Sequence, residues 1–113
     1  MKKFEVVKKT EEFNDIIKTG RYIRNHFYNI YYKDGDNDYP KFGLAVSKKI
    51  GIAVKRNKIK RQLRTLIDKH KNMFSKHYNY IIMVRGGIRD LTYQEMEIQL
   101  VQLLEKGKFH EKN

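Results

Sequence analysis

Lys60, Arg64 and Lys71 recur at spacings of four and seven residues, and Asn57 and Arg61 join them on one flank if the segment is helical. Lys48 and Lys49 stand just upstream, before Gly51. Lysine offers a hydrated point charge, whereas arginine forks onto two phosphate oxygens. An asparagine amide near a helix start can meet a base edge or a phosphate, and the helix start adds free N–H groups that favour phosphate. A charge run is ordinarily a solvated face. Here the flank is of one sign, and apart from Asp68 no acid stands at helical spacing to pair with it. A row of phosphates, such as an A-form backbone presents, is the ligand it fits.

A second constellation is aromatic. Arg24 to Lys33 carries Phe27, Tyr28, Tyr31 and Tyr32 and is predicted to be a strand. Alternation puts Phe27, Asn29 and Tyr31 on one face and Tyr28, Ile30 and Tyr32 on the other. One face must cover the core; the other is expected to be a platform on which unpaired bases stack. Eight tyrosines and no tryptophan favour a wet platform.

Constellations for protein-borne catalysis are weak. His26, His70, His77 and His110 lack metal-ligand spacing, and His70 reads as the edge of a core rather than a base. Asp34, Asp36 and Asp38 share one flexible turn, and Gly86-Gly87 is a turn signal rather than a phosphate-binding loop. Ser47 has no His/Asp relay in its surroundings. No metal site and no catalytic residue are expected on the chain itself.

The charge is unevenly distributed. The 113 residues carry 25 Lys+Arg against 13 Asp+Glu, a formal +12. The segment from Lys41 to Lys71 holds eight Lys and three Arg against Asp68 alone, which places +10 of that excess in about a quarter of the chain. Self-repulsion of this size destabilises a compact state unless a polyanion answers it. Cysteine is absent, which rules out disulfides and thiolate zinc sites. No apolar run has the length of a membrane span, and the residues from Met1 to Glu5 lack a signal-peptide stretch, so a soluble, cytoplasmic protein is expected.

These residues need elements to hold them. Nothing divides the chain, so residues 1–113 read as one domain. A helix is predicted from Thr10, which can cap it, to Thr19, with Gly20 stopping it and Phe13, Ile16 and Ile17 forming its stripe. Asp34-Gly35-Asp36-Asn37-Asp38 is a turn; a second strand runs from Phe42 to Ser47, and a short extended piece from Ile52 to Val54. A long helix from Lys55 to Phe74 buries Ile59, Leu63, Leu66, Ile67, His70 and Phe74. Tyr78 to Arg85 is predicted as a central strand, and Thr92-Tyr93-Gln94-Glu95 as a capping box opening a helix with Met96, Leu100, Leu103 and Leu104 on one side. The order α-β-β-(short β)-α-β-α describes an α/β (α+β) two-layer sandwich, with helices packed on a small mixed sheet.

The run Ser47-Lys48-Lys49-Ile50-Gly51-Ile52-Ala53-Val54-Lys55-Arg56-Asn57-Lys58-Ile59-Lys60-Arg61-Gln62-Leu63-Arg64 closely resembles the signature of the bacterial ribonuclease P protein family, SKK-x-G-x-AV-x-RN-x-x-KR-x-x-R. Phe13, Gly20, Phe42-Gly43-Leu44 and Arg85 extend the resemblance over nearly the whole chain. It implies a left-handed crossover around the signature helix, where the general rule expects a right-handed one. It implies that Lys48, Lys49, Arg56, Asn57, Lys58, Lys60, Arg61 and Arg64 bind a catalytic RNA, one protein to one RNA, and that Phe13, Ile17 and Tyr31 take the single-stranded 5′ leader of precursor tRNA. Mg2+ held by RNA and substrate then activates the water, the free protein is monomeric, and no catalytic group is needed on the chain.

Departures are few. Lys58 replaces a frequent Arg, Ile17 a common aromatic, Ile52 a frequent polar residue, Thr65 a common Glu and Gly87 a common Pro. The alternative is a non-enzymatic RNA-binding module, such as a ribosome-associated protein, using the same strip.

Overall fold

The computed structural model describes residues 2 and 5–109. Its elements are α1 (Thr10–Thr19), β1 (Arg21–Arg24), β2 (Tyr28–Asp34), β3 (Lys41–Ala45), α2 (Ala53–Lys69), β4 (Tyr78–Val84) and α3 (Tyr93–Gly107). The strands form one mixed sheet in the order β1-β2-β4-β3. β1 and β2 are antiparallel, as are β2 and β4, while β3 runs parallel to β4 and reaches it through α2. The expected α+β packing of helices on a small mixed sheet is found, and β4 is interior as its apolar run requires.

Alternation along β4 decides which helix lies on which face. Tyr80, Ile82 and Val84 pack with Tyr28 and Ile30 of β2 into the main core, against Ile59, Leu63, Leu66 and Ile67 of α2 and Met96, Leu100, Leu103 and Leu104 of α3. Ile81 points the other way, into a smaller cluster with Val7 and Ile16 that Phe13, Ile17 and Tyr31 border. α1 therefore lies on the face opposite α2 and α3. Gly43 of β3 lets it approach: a Cβ there would stand 2.6 Å from the Ile81 side chain and 2.8 Å from the Phe13 ring.

Several sequence expectations are corrected. The aromatic segment is not one strand, because the Asn25 side chain accepts hydrogen bonds from the Phe27 and Tyr28 N–H groups, both at 2.9 Å, and folds β1 back onto β2. Thr10 does not cap α1; it is the first helical residue, and Lys9 before it supplies no capping side chain. Ile52 to Val54 is not an extended piece: Ile52 is the N-cap of α2, whose first bond runs from the Arg56 N–H to the Ile52 carbonyl at 3.0 Å. That helix ends at Lys69, not Phe74, and Phe74 reaches the core from a turn, edge-on to Phe42 and Tyr80. His70 stays at the core edge, its Nε2 2.7 Å from Glu97 Oε2 on α3. The capping box is present, with Glu95 N–H donating to Thr92 Oγ1 at 3.2 Å and Thr92 N–H to Glu95 Oε1 at 2.9 Å. His110 lies outside the described residues, as do Met1, Lys3 and Phe4 of the N-terminal run.

Candidate RNA interface

The loop before α2 is built to present two lysines. Ser47 Oγ accepts from the Lys49 N–H at 3.1 Å and starts a 3₁₀ turn over Lys48–Ile50. Ile50 is buried and anchors the turn, leaving Lys48 and Lys49 exposed. Gly51 follows with φ 158° and ψ −170°, a region occupied almost only by glycine. Its carbonyl accepts from Arg56 Nε at 3.2 Å.

Burial of Ile59, Leu63, Leu66 and Ile67 fixes the rotation of α2. Asn57, Lys58, Arg61 and Arg64 are consequently exposed, and Arg56 and Lys60 half-buried on the flank. None of the seven cations from Lys48 to Arg64 proposed for RNA makes an ion pair within 4.0 Å of a described residue. The first turn of α2 contains no acid, and its N-cap gives no side-chain bond, so the positive end of the helix is uncompensated.

Lys71 departs from the expected strip. It lies beyond the end of α2, within 2.5 Å of the buried Glu5 carboxylate and 3.8 Å from Asp68. The expectation of a flank without acidic partners holds for Lys60, Arg61 and Arg64 and fails for Lys71. Glu5, distant in sequence, and Asp68, three residues before Lys71, supply the difference.

Phe13, Ile17 and Tyr31 come together as expected, around Ile81 and Ile16. Tyr31 is half-buried there, and its ring meets that of Tyr22 at 5.9 Å between centroids. Tyr22 is 56% exposed, so the wetter half of this aromatic surface comes from β1. Sequence reasoning missed Tyr22 because the hairpin was hidden inside an apparent single strand. Recognising Asn25-His26-Phe27 as a turn would have paired Tyr22 with Tyr31. Phe27 lies before β2 rather than on the platform, with its ring 5.2 Å from His26. The other face is core: Tyr28 donates to the Met96 carbonyl at 2.9 Å, and burial pushes its phenol well above its ordinary value.

The two sets of residues are contiguous. Lys60 and Arg64 line a 190 Å³ cavity together with Phe13, Val7, Gly43 and Leu44. A slot lined by apolar side chains and two cations suits a nucleotide, whose base is flat and whose phosphate is charged. Among the described residues no group of three or more His, Asp or Glu side chains converges as a metal site, and no helix is long and apolar enough to cross a membrane.

Comparison with known proteins gives the family. The family model described as Ribonuclease P matches residues 1–108. The ribonuclease P protein component of Mycoplasma mycoides subsp. mycoides is 40% identical, over 96% of this chain and 100% of the relative. That of Halalkalibacterium halodurans is 36% identical, over 96% and 92%. The structure of the Staphylococcus aureus RNase P protein superposes with a TM-score of 0.87 at 31% identity, covering 94% of this chain and 97% of that one. The chain belongs to the ribonuclease P protein family. It is therefore the protein component of a ribonucleoprotein endoribonuclease of tRNA processing, a class that implies an RNA subunit as partner.

Proposed function

We propose that residues 1–113 act as one domain that binds the catalytic RNA, one protein per RNA, and guides the 5′ leader of precursor tRNA to the cleavage site. Lys48, Lys49, Arg56, Asn57, Lys58, Lys60, Arg61 and Arg64 contact the RNA subunit, and the surface around Phe13, Ile17 and Tyr31 takes the unpaired leader. One observation carries this reading: a row of cations without ion-pair partners among the described residues runs into a slot shared by Lys60, Arg64 and Phe13. Phosphates complete the first and an unpaired base the second.

Magnesium ions supply the activation of water in this reading, and the catalytic RNA and substrate hold them. In this reading the protein's part is binding and orientation. Holding the leader fixes the scissile phosphate relative to the RNA's active site, which is a contribution of position rather than of chemistry. A monomeric free protein acting in the cytoplasm completes the proposal.

Reconstitution tests it. The protein alone should leave precursor tRNA intact, and should stimulate its cleavage when added to a bacterial ribonuclease P RNA. Cleavage by the protein alone would overturn the division of labour. RNA binding without stimulation would point instead to a general RNA-binding module.

A further inference from the structure

Ile52 and Val54 are each 75% exposed, the most exposed of the large apolar side chains in the described structure. Single exposed aliphatics are common on protein surfaces and need no explanation. The position of these two does. Val54 lies on the outward side of α2, away from Ile59 and Leu63, with Asn57, Lys58 and Arg61 three, four and seven residues further along the same side. Ile52 occupies the N-cap, where it makes no side-chain hydrogen bond. Serine, threonine, asparagine or aspartate there would satisfy one of the free N–H groups of the helix. The protein forgoes that stabilisation for an aliphatic side chain facing water.

Resting on the RNA-binding reading above, we infer that Ile52 and Val54 form an apolar contact for an unpaired nucleotide of the catalytic RNA, seated among phosphates held by Lys48, Lys49, Lys58 and Arg61. A paired A-form helix shows phosphates and 2′-hydroxyls to a protein, and two aliphatic side chains bond neither. An unstacked base or ribose face offers the apolar surface they can cover. The surrounding cations select an anionic partner. They also leave too small an apolar surface for an interfacial helix, whose apolar side must run its whole length. The pair thus gives the interface a component that is independent of salt and responds to RNA shape.

The test titrates intact catalytic RNA, and separately a fully paired RNA duplex, against four full-length proteins across a salt series. These are the parent, Ile52→Ser/Val54→Ser, the apolar control Ile52→Val/Val54→Ile, and Arg61→Ala. The serine pair should bind catalytic RNA about tenfold more weakly at every salt concentration, with an unchanged log K against log salt slope. Its affinity for the duplex should match the parent's, and the apolar control should bind both RNAs like the parent. The melting temperature of the serine pair should equal or exceed the parent's, because a serine hydroxyl at the N-cap can accept from a free N–H of α2 and an isoleucine side chain cannot. A lower melting temperature, or equal losses on duplex and catalytic RNA, would make the pair structural and overturn the inference. So would undiminished binding to catalytic RNA. If that result accompanies a flattened slope for Arg61→Ala, the strip stands and only the apolar contact fails; if Arg61→Ala also changes nothing, the strip itself is misassigned. Binding of the parent to phosphatidylglycerol vesicles, lost in the serine pair while RNA affinity is kept, would assign the pair to a membrane instead.

Discussion

Arg56 Nε donates to the Gly51 carbonyl at 3.2 Å, which ties the first turn of α2 to the loop that presents Lys48 and Lys49. The bond uses one edge of the guanidinium and leaves the outer nitrogens for a ligand. Arg56 thus acts twice, as a cation and as a brace. Arg56→Lys keeps the charge but loses the planar donor. It should weaken binding to the catalytic RNA several-fold with little change in salt slope, whereas Arg56→Ala should also flatten the slope. Parent-like affinity for the lysine variant would reduce Arg56 to a point charge.

Salt dependence separates free cations from paired ones. Arg61 and Arg64 are exposed and make no ion pair with a described residue, so each alanine substitution should flatten the log K against log salt slope by about one unit. Lys71, held by Glu5, should change the slope far less when replaced by alanine. Equal effects at Lys71 and Arg61 would show that the Glu5 pair opens on binding.

Tyr22 is a cleaner probe of the leader surface than Phe13 or Tyr31. It is exposed beside Tyr31, so Tyr22→Ala should melt within a few degrees of the parent, while Phe13→Ala risks several kcal/mol (roughly 3–5 for a fully buried ring). If bases stack on the pair, Tyr22→Ala and Tyr31→Ala should each weaken holoenzyme binding to precursor tRNA by about 1–3 kcal/mol. Both variants should lose the advantage of a long leader over a one-nucleotide leader, with mature tRNA binding unaltered. Full discrimination of leader length by folded variants of both would remove the leader from this face.

The signature helix, the capping box at Thr92 and Glu95 and the central position of β4 were legible because each rests on a local pattern: charge sign at helical spacing, a reciprocal cap, an apolar run. The hairpin at Asn25 was not, because a side chain bonding its own backbone makes the turn without glycine or proline to mark it. Phe74 reads as part of α2 in the sequence because a residue arriving from a turn can fill the same core as one on the last helical turn. Lys71 was misread for a different reason. Asp68, three residues before it and 3.8 Å away, was legible in the spacing and went unweighed, whereas Glu5 is 66 residues away, and pairing at such separation leaves no trace in spacing.

That pair makes the fold sensitive to acid. Glu5 is 5% exposed and receives both Lys71 Nζ and the Lys2 backbone N–H, the latter at 3.1 Å. Burial alone would raise its carboxyl, but the hydrogen bonds and charge of Lys71, with the N–H of Lys2, outweigh this and hold it below the ordinary 4.5. A group whose folded value is depressed contributes stability that is complete above its unfolded value and is lost as pH falls through the folded one. The parent should therefore be more stable than Glu5→Gln near neutrality, with a melting temperature several degrees higher. The difference should shrink as pH falls below about 4.5 and vanish once the folded carboxyl is protonated. Glu5→Gln also frees Lys71 from Glu5, leaving it only Asp68 at 3.8 Å, so at neutral pH the variant should show a steeper salt dependence of binding to the catalytic RNA, by at most about one unit. Melting curves of both proteins from pH 7 to pH 3, read with the neutral-pH salt titration, decide it. A stability gap that stays constant across that range would mean that Glu5 holds the N-terminal segment by packing and neutral hydrogen bonds rather than by its charge.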